Sequence, residues 1–112
     1  GLPILSGEGG VDMLAGLVTP LLAPIGAGRF RAGHGGADIS PLETAGVPLL
    51  GLNLDSTRYF DWHHTPADTL DKVEPAELQQ AAAALAAATW ALANAEATLP
   101  RVAPSATPTP RR

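Results

Sequence analysis

An α/β fold is the class that this sequence predicts, on three observations. The run Val47–Leu54 is apolar on both faces apart from Asn53, the pattern of a strand in the middle of a sheet covered by helices. A helix opening at Pro75 carries Leu78, Ala82, Leu85, Thr89, Leu92 and Ala95 at helical spacing, which predicts a stripe facing a core. Between them, just past the carboxyl end of the strand, come Tyr59, Phe60, Trp62, His63 and His64. Open α/β sheets place their functional groups at that edge.

Bulk properties narrow the class further. A chain of 112 residues suits one small domain or a piece of a larger one. Aromatic residues make up only 4%, glycine and proline number 12 and 11, and alanine dominates one segment, so a self-sufficient core is marginal. The formal charge of −4 and the scattered basic residues exclude the basic patch that nucleic-acid binding requires. With no cysteine, disulfides, thiolate zinc sites and cysteine nucleophiles are excluded. The first residues lack the basic segment of an export signal, and the longest apolar stretch, Ala81–Ala93, is shorter than the roughly 20 residues a bilayer requires. An opening at Gly1 rather than methionine predicts a chain cut from something longer.

Residues 1–10 read as a loop, with Gly7, Gly9 and Gly10 around Glu8. Leu14, Leu17, Val18, Leu21 and Leu22 then fall on one helical face, and Pro20, opposing the carbonyl of Gly16, predicts a kink or two short helices. Pro24 and Gly26-Ala27-Gly28 end that segment. The glycine-rich connection from Gly33 to Leu42 lacks the spacing of a phosphate loop. Within it Ser40, Pro41 and Glu43 predict a short helix ending at Gly46, and no nucleophile elbow surrounds Ser40. After the strand, Asp55-Ser56-Thr57 turns the chain toward the aromatic and histidine residues. Glu74 as N-cap, Pro75 at N1 and Glu77 at N3 start the last helix. From Leu99 onward the prolines predict a disordered tail, so the organisation is 1–98 folded and 99–112 tail.

Two of the three histidines lie in Trp62-His63-His64-Thr65-Pro66-Ala67-Asp68-Thr69. Neutral imidazole is the commonest protein ligand for a transition metal. Thr65, Pro66 and Asp68 read as N-cap, N1 and N3 of one helical turn, a short-acid capping box that fixes the pose of His64 just ahead of it. Two adjacent histidines are also common as a plain surface pair, and they cannot complete the four-coordinate shell of zinc.

Three blocks, GAGRFRAGHGGADISPLETAGVPLLGL, YFDWHHTPADTLDKV and EPAELQQAAAALAAATWALA, resemble in order the C-terminal part of the zinc-dependent exopeptidases of metallopeptidase family 28, in the plasma glutamate carboxypeptidase branch. The middle block is the specific one, because a histidine followed four residues later by Asp-Thr marks that family's last metal ligand. The resemblance implies a mixed sheet flanked by helices, the phosphorylase/hydrolase-like architecture, with ligands on loops at its carboxyl edge. It implies that His64 is a zinc ligand, that Asp68 and Thr69 support the turn, and that Asp38 is structural or supports a ligand from outside. His63 stands where many relatives have a tyrosine, which implies an oxyanion-stabilising role. It further implies two zinc ions sharing a bridging water, a glutamate base, a peptide or dipeptide substrate, and an extracellular or periplasmic location.

The departure from the family is large. No His-x-Asp pair and no Glu-Glu pair occurs, so one of five ligands is present and the general base is missing. The chain is therefore expected to be inactive alone: a segment of an amino- or carboxypeptidase contributing His64. The alternative is a truncated, non-catalytic α/β module that packs on a partner or forms a homo-oligomer. A third reading is a small metal binder using His34, His63, His64 and Asp38. The in-frame coding sequence upstream of Gly1 separates the first two. A His-x-Asp block and a Glu-Glu pair there are expected for the enzyme segment, and a start codon adjoining Gly1 would favour the truncated module.

Overall fold

In the computed structural model, residues 4–7, 11–33 and 35–101 are described. Three short strands form one sheet: β1 (Ile4–Gly7), β2 (Arg29–Ala32) and β3 (Leu50–Asn53). The spatial order is β2-β1-β3. β1 runs parallel to β2, with Ile4 opposite Arg29, and antiparallel to β3, with Ile4 opposite Asn53. Helix α1 (Val11–Leu22) connects the parallel pair, α2 (Tyr59–Trp62) is a single turn beyond β3, and α3 (Pro75–Ala93) closes the described fold.

Two of these strands were not expected. β1 lies in the segment read as loop, and its four residues are too few to show a period. In β2, Phe30 is half-buried against the core while Arg29 and Arg31 are exposed, the alternation of a one-sided strand. β3 in turn is shorter than the expected Val47–Leu54 and is half-buried throughout rather than fully buried. Pro48 explains the late start, since it has no N–H to donate to a ladder. Leu50 and Leu52 pack on the core, whereas Leu49, just outside the strand, is buried.

Nor does Pro20 divide α1, which is continuous from Val11 to Leu22. A proline inside a helix costs about 3 kcal/mol. Leu14, Val18 and Leu22, one turn apart and buried, each contribute roughly 1.5–3 kcal/mol by leaving water, so packing wins. The helix then tightens into a 3-10 turn, Ala23–Ile25, that ends where Gly26 takes φ 74° and donates its N–H to the Ala23 carbonyl. The short helix expected at Ser40 is a 3-10 turn, Ser40–Ala45, ending at Gly46 with φ 71° as expected. The hydroxyl of Ser40 does not cap it but donates to the Ala37 carbonyl at 2.8 Å.

Helix α3 begins as its residues predict, with Glu74 as N-cap and Pro75 in the first turn. Its buried stripe, however, is Ala81, Ala84, Ala88 and Ala91, not the stripe containing Leu78 and Leu85. Those two leucines are 58% and 48% exposed, and Trp90 is 72% exposed. Both faces between Ala81 and Ala93 lack charge, so periodicity alone does not choose between them. Close approach does: α3 lies along α1, and alanines let the two backbones approach while Leu14, Val18 and Leu22 fill the seam. α3 packs chiefly along α1, which itself packs on β2, and the strand residues Phe30, Leu50 and Leu52 join the same core.

Side-chain bonds tie α3 and the segment after it to neighbouring turns. The amide of Gln80 donates to the Ile25 carbonyl at 2.7 Å, and the Arg101 guanidinium donates to the Ala45 carbonyl at 3.1 Å. Leu99, at the start of the expected tail, packs against the core, and residues 102–112 lie outside the described structure. The seam makes a sharp prediction. Ala88→Leu should destabilise by about 1–3 kcal/mol through overpacking, whereas Ala82→Leu, on the outer face, should change stability by less than about 0.5 kcal/mol. Urea denaturation of the two variants checks it.

Candidate functional site

The chain leaves β3 at Asn53 and reverses through an Asx turn. The Asp55 carboxylate accepts hydrogen bonds from the Thr57 amide at 2.9 Å and the Thr57 hydroxyl at 2.5 Å. These bonds, hydroxyl first, hold the Asp55 carboxyl below the ordinary range by favouring its charged form. The single turn of α2 then orders the side chains by helical neighbourhood. The Arg58 guanidinium lies over the Trp62 ring, 4.8 Å from its centroid, and its Nε meets Asp61 at 3.2 Å. The rings of Tyr59 and His63, four residues apart, stack at 4.5 Å.

His63 and His64 are turned by bonds on both sides. The His63 amide donates to the Tyr59 carbonyl at 2.9 Å and ends α2. His64 is the only non-glycine with positive φ among the described residues, at 57°. Its ring stacks on His63 at 3.8 Å, which completes a column of Tyr59, His63 and His64, with Phe60 edge-on to His63 at 6.0 Å. His64 is exposed and His63 half-buried. Among the described residues no hydrogen bond engages either imidazole.

The expected capping box is half formed. Thr65 Oγ1 accepts the Ala67 amide at 3.3 Å and the Thr65 carbonyl accepts the Asp68 amide at 3.1 Å, so Thr65 does cap a turn. No helix follows. The Thr65 amide goes to the Trp62 carbonyl at 2.9 Å, so it is not left for the Asp68 carboxylate. Thr69 donates its amide to the Ala67 carbonyl at 3.0 Å and its hydroxyl contacts the Asp71 carboxylate. That contact and the Lys72 ammonium hold the Asp71 carboxyl below its usual range, the Lys72 bond being the larger cause.

An open cleft of about 430 Å³ lies against this turn. His63 and Asp68 line it with Tyr59, Trp62, Arg58 and the bonded pair Asp55 and Thr57, together with Lys72, Glu74 and Glu77. His64 adjoins it through the ring of His63. Asp38 sits in an exposed turn before Ser40 and is not among the lining residues. His34 and Glu8 lie outside the described residues. Sequence reasoning missed the part of Arg58, Tyr59 and Trp62 in the cleft. The i,i+4 spacings 58–62 and 59–63 were the available signal.

A catalytic zinc ion takes about three protein donors and a water, and the described residues hold no group of three or more His, Cys, Asp or Glu able to bind a metal. What they do hold suits one position in such a shell: an exposed imidazole on a braced turn with both nitrogens uncommitted.

Comparison with known proteins supplies the context. The sequence profile described as Peptidase family M28 matches residues 9–89. Carboxypeptidase Q of Mus musculus is 33% identical over 84 residues, which are 75% of this chain and 18% of the mouse protein. The Homo sapiens carboxypeptidase Q is 34% identical over the same shares. A crystal structure of a Peptidase M28 precursor from Shewanella amazonensis SB2B superposes with a TM-score of 0.77 and 31% identity, over 91% of this chain and 24% of that one. The chain thus spans 18% of the length of the curated relatives it matches.

The Asx turn at the foot of the site is open to titration. Because the folded Asp55 is more acidic than a free aspartate (about 3.9), its contribution is full above that value and is lost as pH falls through the lower folded pKa. The Asp55 carboxyl resonance should titrate below the free value, and Thr57→Val should bring it back up toward it.

Proposed function

The chain belongs to peptidase family M28, and from that premise we propose that it is a segment of a zinc-dependent exopeptidase, to which it contributes His64 as a metal ligand. The observation that carries this reading is the placement of His64. An uncommitted imidazole stands exposed directly after the α2 turn, on a turn braced from both sides, within the matched residues 9–89. The remaining ligands and the general base come from residues other than those described here, in keeping with a chain that covers 24% of a solved relative.

In the filled site a zinc ion would polarise the scissile carbonyl and acidify a water. The chain's own residues do the rest of the local work. His63, in the cleft wall, can donate a ring N–H to an oxyanion that develops on the substrate. The backbone bonds of Asp68 and Thr69 keep the turn closed beneath His64. Asp38 is assigned a supporting role outside the cleft. The cleft itself is large enough for part of a dipeptide or peptide substrate. An extracellular or periplasmic place of action belongs to the same reading, and no helix among the described residues is long and apolar enough to cross a membrane.

One observation favours a second reading, a non-catalytic module that packs on a partner or a second copy: the outer face of α3 beyond Glu77 is uncharged, with Leu78, Leu85 and Trp90 exposed. Metal content separates the two. In the full-length gene product His64→Ala should remove bound zinc and lower kcat/KM for dipeptides by at least about a hundredfold, beyond the 10–100-fold typical of residues that merely support a ligand. Unchanged zinc content and turnover in that variant would return the chain to the second reading.

A further inference from the structure

Resting on the reading of His64 as a metal ligand, we infer that Thr65 is the positioning residue of the site: its hydroxyl locks His64 in the left-handed backbone conformation that aims the imidazole. His64 takes φ 57°, a left-handed region that is uncommon for residues other than glycine and that surrounding bonds hold in place at a cost. Thr65 supplies those bonds in both directions. Upstream, its hydroxyl donates to the Trp62 carbonyl at 2.6 Å, beside its own amide, which donates to the same oxygen at 2.9 Å. Downstream, the same hydroxyl oxygen accepts the Ala67 amide at 3.3 Å, and the Thr65 carbonyl accepts the Asp68 amide at 3.1 Å.

One hydroxyl therefore joins the end of α2 to the turn that follows, and His64 lies between the two halves. Such a clasp has a functional consequence that a plain turn lacks. A ligand to a multi-donor metal site must hold its direction before the metal arrives, and an imidazole on a freely rotating backbone must lose that freedom on binding. Pro66 adds a fixed φ on the downstream side and removes an N–H that would otherwise compete for the hydroxyl. Valine matches threonine in shape and β-branching but lacks the hydroxyl, whereas serine retains it.

The test uses the full-length gene product and zinc ions, with affinity read by competition against a chromophoric chelator. Thr65→Val should weaken zinc binding by about tenfold, the lower range for residues that orient a ligand. Thr65→Ser should restore affinity to within about threefold of the wild type, because it restores the clasp. Melting temperature, followed in parallel, separates this from a general loss of stability, which would not be rescued along with zinc affinity alone.

If Thr65→Val binds zinc as tightly as wild type while His64→Ala does not, Thr65 has no positioning role and the metal assignment stands. If His64→Ala also retains zinc, the metal assignment itself is wrong. Should Thr65→Val fail to fold, hydrogen exchange of the zinc-free wild type decides. Slow exchange of the Thr65, Ala67 and Asp68 amides before zinc is added supports the clasp. Fast exchange that becomes slow only with zinc overturns it.

Discussion

One helix seam, alanines of α3 against the aliphatic side chains of α1, holds the described structure together. Ala84, Ala88 and Ala91 meet Leu14, Val18 and Leu22, and the strand residues Phe30, Leu50 and Leu52 pack against the same cluster from the sheet. Among the described residues the sheet has three strands of four residues each, with too little surface to organise itself. It is the seam that fixes α1, α1 that braces β2, and the central β1 that passes that order to β3. The site turn hangs from the far end of β3, so its placement depends on packing far from it in sequence.

At the rim the structure uses different physics. Little is buried there: Tyr59 is 49% and Phe60 81% exposed, and His64 faces solvent. Order comes from short-range bonds, among them the Asx turn at Asp55, the i,i+4 ring pairs of α2 and the bonds around Thr65. Left-handed backbone at His64 costs about 1–2 kcal/mol, a sum that a few hydrogen bonds of about 0.5–1.5 kcal/mol each offset. A rim built in this way holds the His64 ring in a fixed direction while leaving it exposed.

What the sequence made legible follows the same division. Local signals were read correctly where one residue decides the outcome: Pro75 at the start of α3, Gly46 at the end of the 3-10 turn, and the cap at Thr65. Family membership was legible from the block around His64, since a histidine with Asp-Thr four residues on is more specific than any composition. Elements set by tertiary packing were not. β1 and β2 are too short to print a period, and α3 offers two apolar stripes between which only the neighbouring helix can choose. Pro20 does not divide α1, because burial of Leu14, Val18 and Leu22 outweighs the cost of a proline inside the helix. The cleft residues Arg58, Tyr59 and Trp62 were not legible because they carry no metal-donor pattern and only the α2 turn brings them to the cleft.

On the proposed reading, the imidazole of His64 binds a zinc ion whose other donors lie outside the described residues. Anomalous diffraction at the zinc edge from crystals of the full-length gene product tests it most directly. The account predicts an anomalous peak about 2.0–2.1 Å from a ring nitrogen of His64, the usual zinc–imidazole bond. A zinc peak whose shell is complete without His64, or a His64 ring packed away from every peak, would contradict it.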